Sequence, residues 1–255
     1  MYKKIGIIGV GHLAEYLIKG LINTGRDFEF FLADPAPERA QTLTESCRAR
    51  VFTQNQEAVD QSEIIILAVR PNQCHAALEG LKFREGQILA AVTIGIPLSV
   101  LQEAVTPARA VRVLPISCVA INQSPVLIHP EDVEIREFFS LVGRVHLLEE
   151  EPLFEPATAL VGAYYAWLFA LMEQLAQWTE TQGLSPELAR DLVVDTMQGA
   201  SGMAAAQKDT GLQQIWESLA TPGGISQHGI EIIRARDGLD LWSQALDSVT
   251  RMLKK

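Results

Sequence analysis

Cysteine is scarce in this chain. Cys47, Cys74 and Cys118 are the only three in 255 residues, widely separated and with no C-x-x-C pair. So odd and scattered a set makes neither a disulfide framework nor a zinc knuckle, and it suits a reducing cytoplasm. Basic blocks are missing too. Apart from the closing Lys254-Lys255 pair, lysine and arginine are dispersed, and 31 acidic against 21 basic residues leave a formal charge of −10. That balance argues against nucleic acid or an anionic membrane as a partner, and the acidity reads as a solubility feature. Long apolar runs are absent as well. The first, behind Lys3 and Lys4, stops at Gly9, too short for a signal-peptide core; another, at 161–175, is broken by Gly162 and closed by Glu173. The second is expected to be a buried helix of a soluble protein, too short to span a bilayer. No His/Cys/Asp cluster has metal-ligand spacing, so no metal is expected, and no Ser-His-Asp order marks a hydrolase. What is left is 48% hydrophobic and 20% charged, an ordinary globular composition for one large domain or two modest ones.

One stretch, residues 3–21, stands out. Ile5, Ile7 and Ile8 form a short apolar run suited to a buried parallel strand. A Gly9-Val10-Gly11 turn follows, and then Leu13, Ala14, Leu17, Ile18 and Leu21 recur at helical spacing. Gly9-x-Gly11-x-x-Ala14 is the Gly/Ala form of the dinucleotide fingerprint. Gly9 permits the sharp turn, Gly11 lets a pyrophosphate approach the backbone, and Ala14 lets helix and strand pack closely. The helix N-terminus offers free N–H groups and the positive end of its dipole. Asp34 closes a second apolar run, 28–33, 25 positions after Gly9. An acid there accepts the adenosine ribose hydroxyls and repels a 2′-phosphate, which favours NADH over NADPH. Arg39 either reaches a phosphate instead or is a solvated helix-face residue.

Residues 1–150 alternate between strand-like and helix-like segments. Strands are expected at 28–33, 51–52, 63–69, 87–94, 110–114 and 125–128, and helices at 38–47, 57–61, 73–81 and 98–104. This βα order predicts an α/β fold, a Rossmann-type doubly wound parallel sheet. Its ligand would lie beyond the strands' carboxyl ends, where the loops from Gly9, Asp34, Ala68, Ile94 and Leu114 gather. From 151 to 255 the pattern becomes helical, with helices expected at 154–182, 186–206, 212–219, 226–235 and 239–253. Gly183 stops the first of these and Pro186 starts the second. The aromatics Tyr164, Tyr165, Trp167, Phe169, Trp178, Trp216 and Trp242 read as packing anchors of this part.

Over nearly its full length the order of motifs resembles pyrroline-5-carboxylate reductase. The family's glycine turn matches Gly9 to Ala14, its Asn-x-Glu-Ala stretch matches Asn55-Gln56-Glu57-Ala58, and its Ala-Val-Lys-Pro loop matches Ala68-Val69-Arg70-Pro71. Arg-x-Met-Pro-Asn appears as Arg112-Val113-Leu114-Pro115-Ile116, and Gly-Ala-Ala-x-Met as Gly199 to Met203. The most specific match is Thr-Ser-Pro-Gly-Gly-Thr-Thr with Ala220-Thr221-Pro222-Gly223-Gly224-Ile225-Ser226. There are departures. Ile116 replaces an asparagine, Ile225 replaces a threonine, and 161–167 lacks the serines and proline of the family's Ser-Gly-Ser-Gly-Pro-Ala-Tyr helix start.

The resemblance implies reduction of the C=N bond of 1-pyrroline-5-carboxylate to L-proline, with hydride from NADH or NADPH. It implies that Gly9, Gly11, His12, Leu13, Asp34, Asn55, Ala68, Val69, Arg70 and Pro71 bind the cofactor. Thr221, Gly223, Gly224 and Ser226 would bind the substrate, and the Ser226 hydroxyl would hold the imine nitrogen or the carboxylate. The N–H groups around Gly223-Gly224 would form an anion nest. It further implies that the C-terminal helices make a dimerisation domain, giving a homodimer and in some members a ring of dimers.

Read for themselves, several of these residues keep a plainer alternative. Pro222-Gly223-Gly224 is either a substrate loop or a tight turn between helices, and Arg70 either neighbours a pyrophosphate or is a surface arginine. His12 either meets phosphate or is an exposed polar residue at the helix start. His228 either serves as a general acid or is a polar helix position, and Glu173 reads as a structural pairing residue. Two other functions stay open: reduction of another small imine or keto acid, suggested by the more apolar Ile116, Val161 and Ile225, and dinucleotide binding without catalysis.

Overall fold

Short branched and aromatic runs, apolar on both faces, form the inner strands of one sheet, as parallel strands covered by helices on both sides require. The computed structural model describes residues 4–254, so Lys3 and Lys255 of the readings above lie outside it. The elements run β1 (Lys4–Ile8), α1 (His12–Asn23), β2 (Glu29–Ala33), α2 (Glu38–Leu43), β3 (Ala49–Phe52), α3 (Asn55–Gln61) and β4 (Ile64–Leu67). After these come α4 (Cys74–Leu78), β5 (Ile88–Ala91), α5 (Leu98–Val105), β6 (Arg109–Leu114), β7 (Ser124–His129), α6 (Val133–Phe139) and β8 (Gly143–Leu147). The sheet order is β3-β2-β1-β4-β5-β6-β7-β8. Strand order reverses beside β1, the doubly wound arrangement with a switch point at the β1 and β4 ends. All pairings are parallel except β6 with β7. The reason is the connection 115–123, too short for a parallel crossover. Two of these elements, α6 and β8, were not expected from the sequence.

Alternation along β1 sends Ile5 and Ile7 to one face, where they meet Leu17, Ile18 and Leu21 of α1, and Ile8 to the other, against Ile65, Leu67 and Leu89. This face-by-face burial fixes the register in which β1 sits between β2 and β4. Each of those side chains is essentially inaccessible to solvent.

The chain divides into one unit reaching Val161, which also takes in the end from Met252, and a second, Gly162–Arg251. The short helix α7 (Phe154–Thr158) closes the first unit and runs through a wide turn at Ala159–Ala163 into α8 (Tyr164–Thr181). Then come α9 (Pro186–Ala206), α10 (Leu212–Leu219), α11 (Ile225–Ala235) and α12 (Asp240–Leu253). Ser185 caps α9 by accepting the Leu188 N–H at 3.3 Å. Inside the second unit Tyr164, Trp167 and Trp242 pack together with ring centroids 5.8–6.5 Å apart. The Arg234 guanidinium lies 4.5 Å from the centre of the Trp216 ring.

The helix expected to be buried is not buried by this chain. No residue of α8, α10, α11 or α12 is buried, and Phe169, Trp178, Leu188 and Leu192 are exposed. The continuous helical run Glu151–Thr181, 31 residues, is by length and composition alone long and apolar enough to cross a membrane, contrary to the shorter segment read from sequence.

Candidate active site and family

Loops from the carboxyl ends of β1, β2, β3 and β4 enclose a cavity of about 540 Å³, the size of a small-molecule site. Gly9 has φ +88°, and a Cβ there would lie 2.8 Å from Val69 Cγ1 and 3.0 Å from the Ala68 carbonyl oxygen. Only glycine can make this turn, because both the backbone conformation and the close approach of the β4 loop exclude a side chain. Gly11 differs. Its φ is −92°, and a Cβ built on it meets nothing within 4 Å. The open space beside Gly11 belongs to the cavity.

Gly11 is the N-cap of α1 and provides no side-chain cap. The first-turn N–H groups of His12, Leu13 and Ala14 therefore have no intrahelical acceptor. The cavity also reaches Asp34, whose carboxylate is anchored on both oxygens: Val10 N–H donates to Oδ2 at 2.7 Å and Ala36 N–H to Oδ1 at 2.8 Å. Each oxygen keeps a further lone pair for a ligand hydroxyl. Unclaimed N–H groups at a helix start, a backbone without a Cβ and an acid at the next strand end together fit a dinucleotide.

The structure gathers Gly9, Gly11, Asp34, Asn55, Ala68, Val69 and Arg70 around this cavity. Asn55 is held in place by donating its side-chain N–H to the Ala77 carbonyl at 2.9 Å. Three expected residues sit off the wall. His12 is exposed on α1, Leu13 packs against the core, and Pro71 opens the 3-10 turn Pro71–Gln73. Sequence reasoning missed Thr53, Gln54, Asn72 and Gln73, which also line it; Thr53 and Gln54 directly follow the end of β3, a signal that was available, whereas Asn72 and Gln73 lie in the turn after Arg70-Pro71. Arg39 pairs with Glu15 at 3.1 Å.

In the second unit, Gly223 has φ +74°, and a Cβ on Gly224 would come within 2.9 Å of the Thr221 carbonyl. The nest expected here is not open. Gly223 N–H donates to Gln227 Oε1 at 2.7 Å and Gly224 N–H to the Thr221 carbonyl at 2.9 Å, so both are used inside the loop. The N–H groups of Ile225, Ser226 and Gln227, in the first turn of α11, are the ones without an intrahelical acceptor. A cavity of about 430 Å³ is lined by Gly223, Gly224, Ile225, Gln227, His228 and Glu231. Thr221 and Ser226 do not line it. Two residues apart on a helix, Ser226 and His228 diverge by about 200°. Glu173 accepts from Gln177 one turn along α8 at 3.2 Å.

A third polar group lies in the first unit. Arg112, on β6 and only 3% exposed, sends Nη1 to Glu151 Oε1 at 2.8 Å and Nη2 to Glu155 Oε1 at 2.7 Å. The same Glu151 oxygen accepts the Leu98 N–H at 2.7 Å. Burial pushes the Glu151 carboxyl pKa up, but the Leu98 N–H, the Arg112 guanidinium and His129 outweigh that and hold it below the usual carboxylate value.

Residues 151–255 match the family model for pyrroline-5-carboxylate reductase dimerisation, and residues 4–95 match the model for NADP oxidoreductase, coenzyme F420-dependent. A pyrroline-5-carboxylate reductase of Arabidopsis thaliana is 28% identical over 239 residues, covering 89% of this chain and 86% of the relative. One from Methanosarcina acetivorans is 28% identical over 242 residues, covering 89% and 88%. The helical part matches that family's dimerisation domain, and the whole chain is similar to pyrroline-5-carboxylate reductases. The crystal structure of the Plasmodium falciparum family member with NADP bound superposes with a TM-score of 0.87 at 21% identity, over 98% of this chain and 97% of that one, so the fold is shared.

The chain departs from the motifs of these relatives. Where the family motif carries asparagine, Ile116 is buried and its N–H donates to Ser124 Oγ at 3.0 Å. The dimerisation model spans the same helices that leave their apolar side chains uncovered. A dimerisation domain accords with these uncovered apolar side chains and with the apolar run Glu151–Thr181.

Proposed function

We propose that this protein reduces the C=N bond of 1-pyrroline-5-carboxylate to give L-proline, using NADH or NADPH. The observation that carries the reading is the glycine-walled cavity at the sheet's carboxyl ends, in a chain similar to these reductases. Reduced nicotinamide, when bound, supplies the hydride; the remaining tasks are orientation and charge placement. Gly9 shapes the turn, Gly11 leaves room for the pyrophosphate, and the first turn of α1 donates N–H groups to it. Asp34, fixed by two backbone N–H groups, accepts the ribose hydroxyls and disfavours a 2′-phosphate, so NADH is preferred. Ala68, Val69 and Arg70 wall the cavity from the β4 side. In the second unit the unclaimed N–H groups at the start of α11 hold the substrate carboxylate, and the Ser226 hydroxyl hydrogen-bonds the imine nitrogen.

The working form is a homodimer, and further assembly into a ring of dimers is a natural extension. Cofactor binding and dimerisation with substrate binding divide near 150/151 in sequence, where the dimerisation match begins, although the first compact unit continues to Val161. The reaction belongs in the cytoplasm, in keeping with the scarce and scattered cysteines. A second reading, reduction of a less polar small imine or a keto acid, is favoured by one observation: Ile116 and Ile225 stand where the family motifs have polar side chains.

The test is loss of reduced-nicotinamide absorbance with pyrroline-5-carboxylate and NADH or NADPH in parallel, for wild type and Ser226→Ala. Turnover that drops tenfold or more, on the order of one lost hydrogen bond to a charged group, supports the assignment. Cofactor binding with no turnover of this imine overturns it and moves the search to other imines.

A further inference from the structure

The Arg112 group is an expensive feature for a sheet interior. Its guanidinium is buried in the middle strand of the β5-β6-β7 set, and its Nε is the one buried side-chain N or O atom among the described residues without a hydrogen-bond partner. Buried ion clusters of this kind are often no more stable than an apolar replacement, so stability alone does not explain the arrangement. The contacts indicate what it achieves. Arg112 reaches Glu151 and Glu155, the chain's exit from the first unit, and its guanidinium lies 4.2 Å from the centre of the Phe154 ring. Glu151, by accepting the Leu98 N–H, ties the start of α5 to the same point. Phe154 in turn packs on Leu114 at the end of β6, with Ile94 of the β5–α5 loop against the same cluster. One guanidinium therefore ties down both loops that follow β5 and β6.

Those two loops lie on the β4 side of the switch point, away from Asp34. A dinucleotide whose adenosine end sits at Asp34 and whose pyrophosphate crosses the Gly9–Gly11 turn runs toward them. We propose that Arg112, with Glu151 and Glu155, is a positioning residue: it holds the 94–98 and 114–116 loops in the conformation that aligns the nicotinamide end of the site. This rests on the reductase reading for its kinetic consequence but not for its structural one.

The experiment uses the full-length protein carrying Glu155→Gln or Arg112→Lys. Each is mild enough to fold: one removes a charge, the other keeps the charge but loses the two-pronged fork. Three readouts are taken on each variant: backbone hydrogen exchange of the apo protein, cofactor Kd by fluorescence titration, and steady-state kinetics with pyrroline-5-carboxylate. The expected result is faster exchange confined to 94–98, 114–116 and the 151–155 exit, Kd within twofold of wild type, and kcat reduced at least tenfold with little change in KM. Unchanged exchange in both loops overturns the proposal, and so does a kcat within twofold of wild type. A Kd weakened as much as kcat also overturns it, because Arg112 would then support cofactor binding as a whole. If wild type itself turns over no substrate, the reductase reading fails, while the exchange and Kd readouts still decide the role of Arg112.

Discussion

Replacing Gly11 with alanine separates what the fold requires from what a cofactor requires. At φ −92° and ψ −172° the backbone of Gly11 is one that alanine adopts without strain, and the new methyl meets no atom within 4 Å. On the folding side, less freedom in the unfolded chain stabilises by about 0.4–1 kcal/mol. Losing the glycine preference at an N-cap costs a similar amount, about 0.5–1 kcal/mol. The two nearly cancel, so the apo Tm should stay within about 3 °C of wild type. On the binding side, the methyl takes up the space through which a pyrophosphate would reach the backbone. Loss of one charge-assisted hydrogen bond, about 1.5–3 kcal/mol, raises the cofactor Kd roughly 10- to 150-fold. The assay is apo thermal unfolding followed by fluorescence titration with NADH. Unchanged affinity in Gly11→Ala would refute the placement of the pyrophosphate, and a collapsed Tm would refute the reading of Gly11 as unneeded by the fold. Gly9→Ala is the contrasting control: φ +88° and a Cβ 2.8 Å from Val69 Cγ1 predict an unstable protein whether or not cofactor is present.

Three further outcomes are expected. Asp34→Ala should shift the NADPH-to-NADH affinity ratio toward NADPH, and an unchanged ratio in side-by-side titrations would remove Asp34 from cofactor choice. It should also lower stability, because the Val10 and Ala36 N–H groups lose their acceptor. Glu151 has a folded pKa below its unfolded one, so its charge contributes stability that is present above the unfolded value of about 4.3 and is lost as pH falls through the folded value. Wild type should therefore out-melt Glu151→Gln by a few degrees at neutral pH, with the gap closing in acid below about pH 4; a gap constant with pH would contradict this sign. Finally, the uncovered faces of α8 and α9 predict a dimer by light scattering at micromolar concentration, and a monomer there would contradict the role given to the second unit.

The opening βα unit was legible because two independent signals agree there, an apolar run and a glycine turn leading into helical periodicity. The central strand β4, expected at 63–69 and observed at Ile64–Leu67, was legible because a strand buried on both faces needs no polar residue. The edge was harder. β8 reads GRVHL and is half exposed, so it presents no apolar run, and α6 is a single short helix. A signal for α6 did exist: Asp132 accepts the N–H groups of Glu134 and Ile135 as an N-cap. Helix α2 ends at Leu43 rather than Cys47, where the Thr44 and Ser46 hydroxyls bond back to the carbonyls of Gln41 and Leu43. The loop at 221–224, read as either a substrate loop or a tight turn between helices, does join α10 to α11. Its hydrogen bonding was not foreseeable, because the acceptor for Gly223 N–H is a glutamine side chain four residues on. The Arg112 group escaped for a similar reason: its carboxylates are 39 and 43 residues away in sequence. Local periodicity reports strands and turns, and long-range charge pairing leaves no local trace.

The most direct test of the central claim is where the hydride goes. The protein should be incubated with 1-pyrroline-5-carboxylate and nicotinamide cofactor carrying deuterium at the transferable position, and the product analysed by mass spectrometry and NMR. The account predicts L-proline with one deuterium on the ring carbon that had been doubly bonded to nitrogen. Recovery of unlabelled or unreduced imine from protein that binds the cofactor would contradict it.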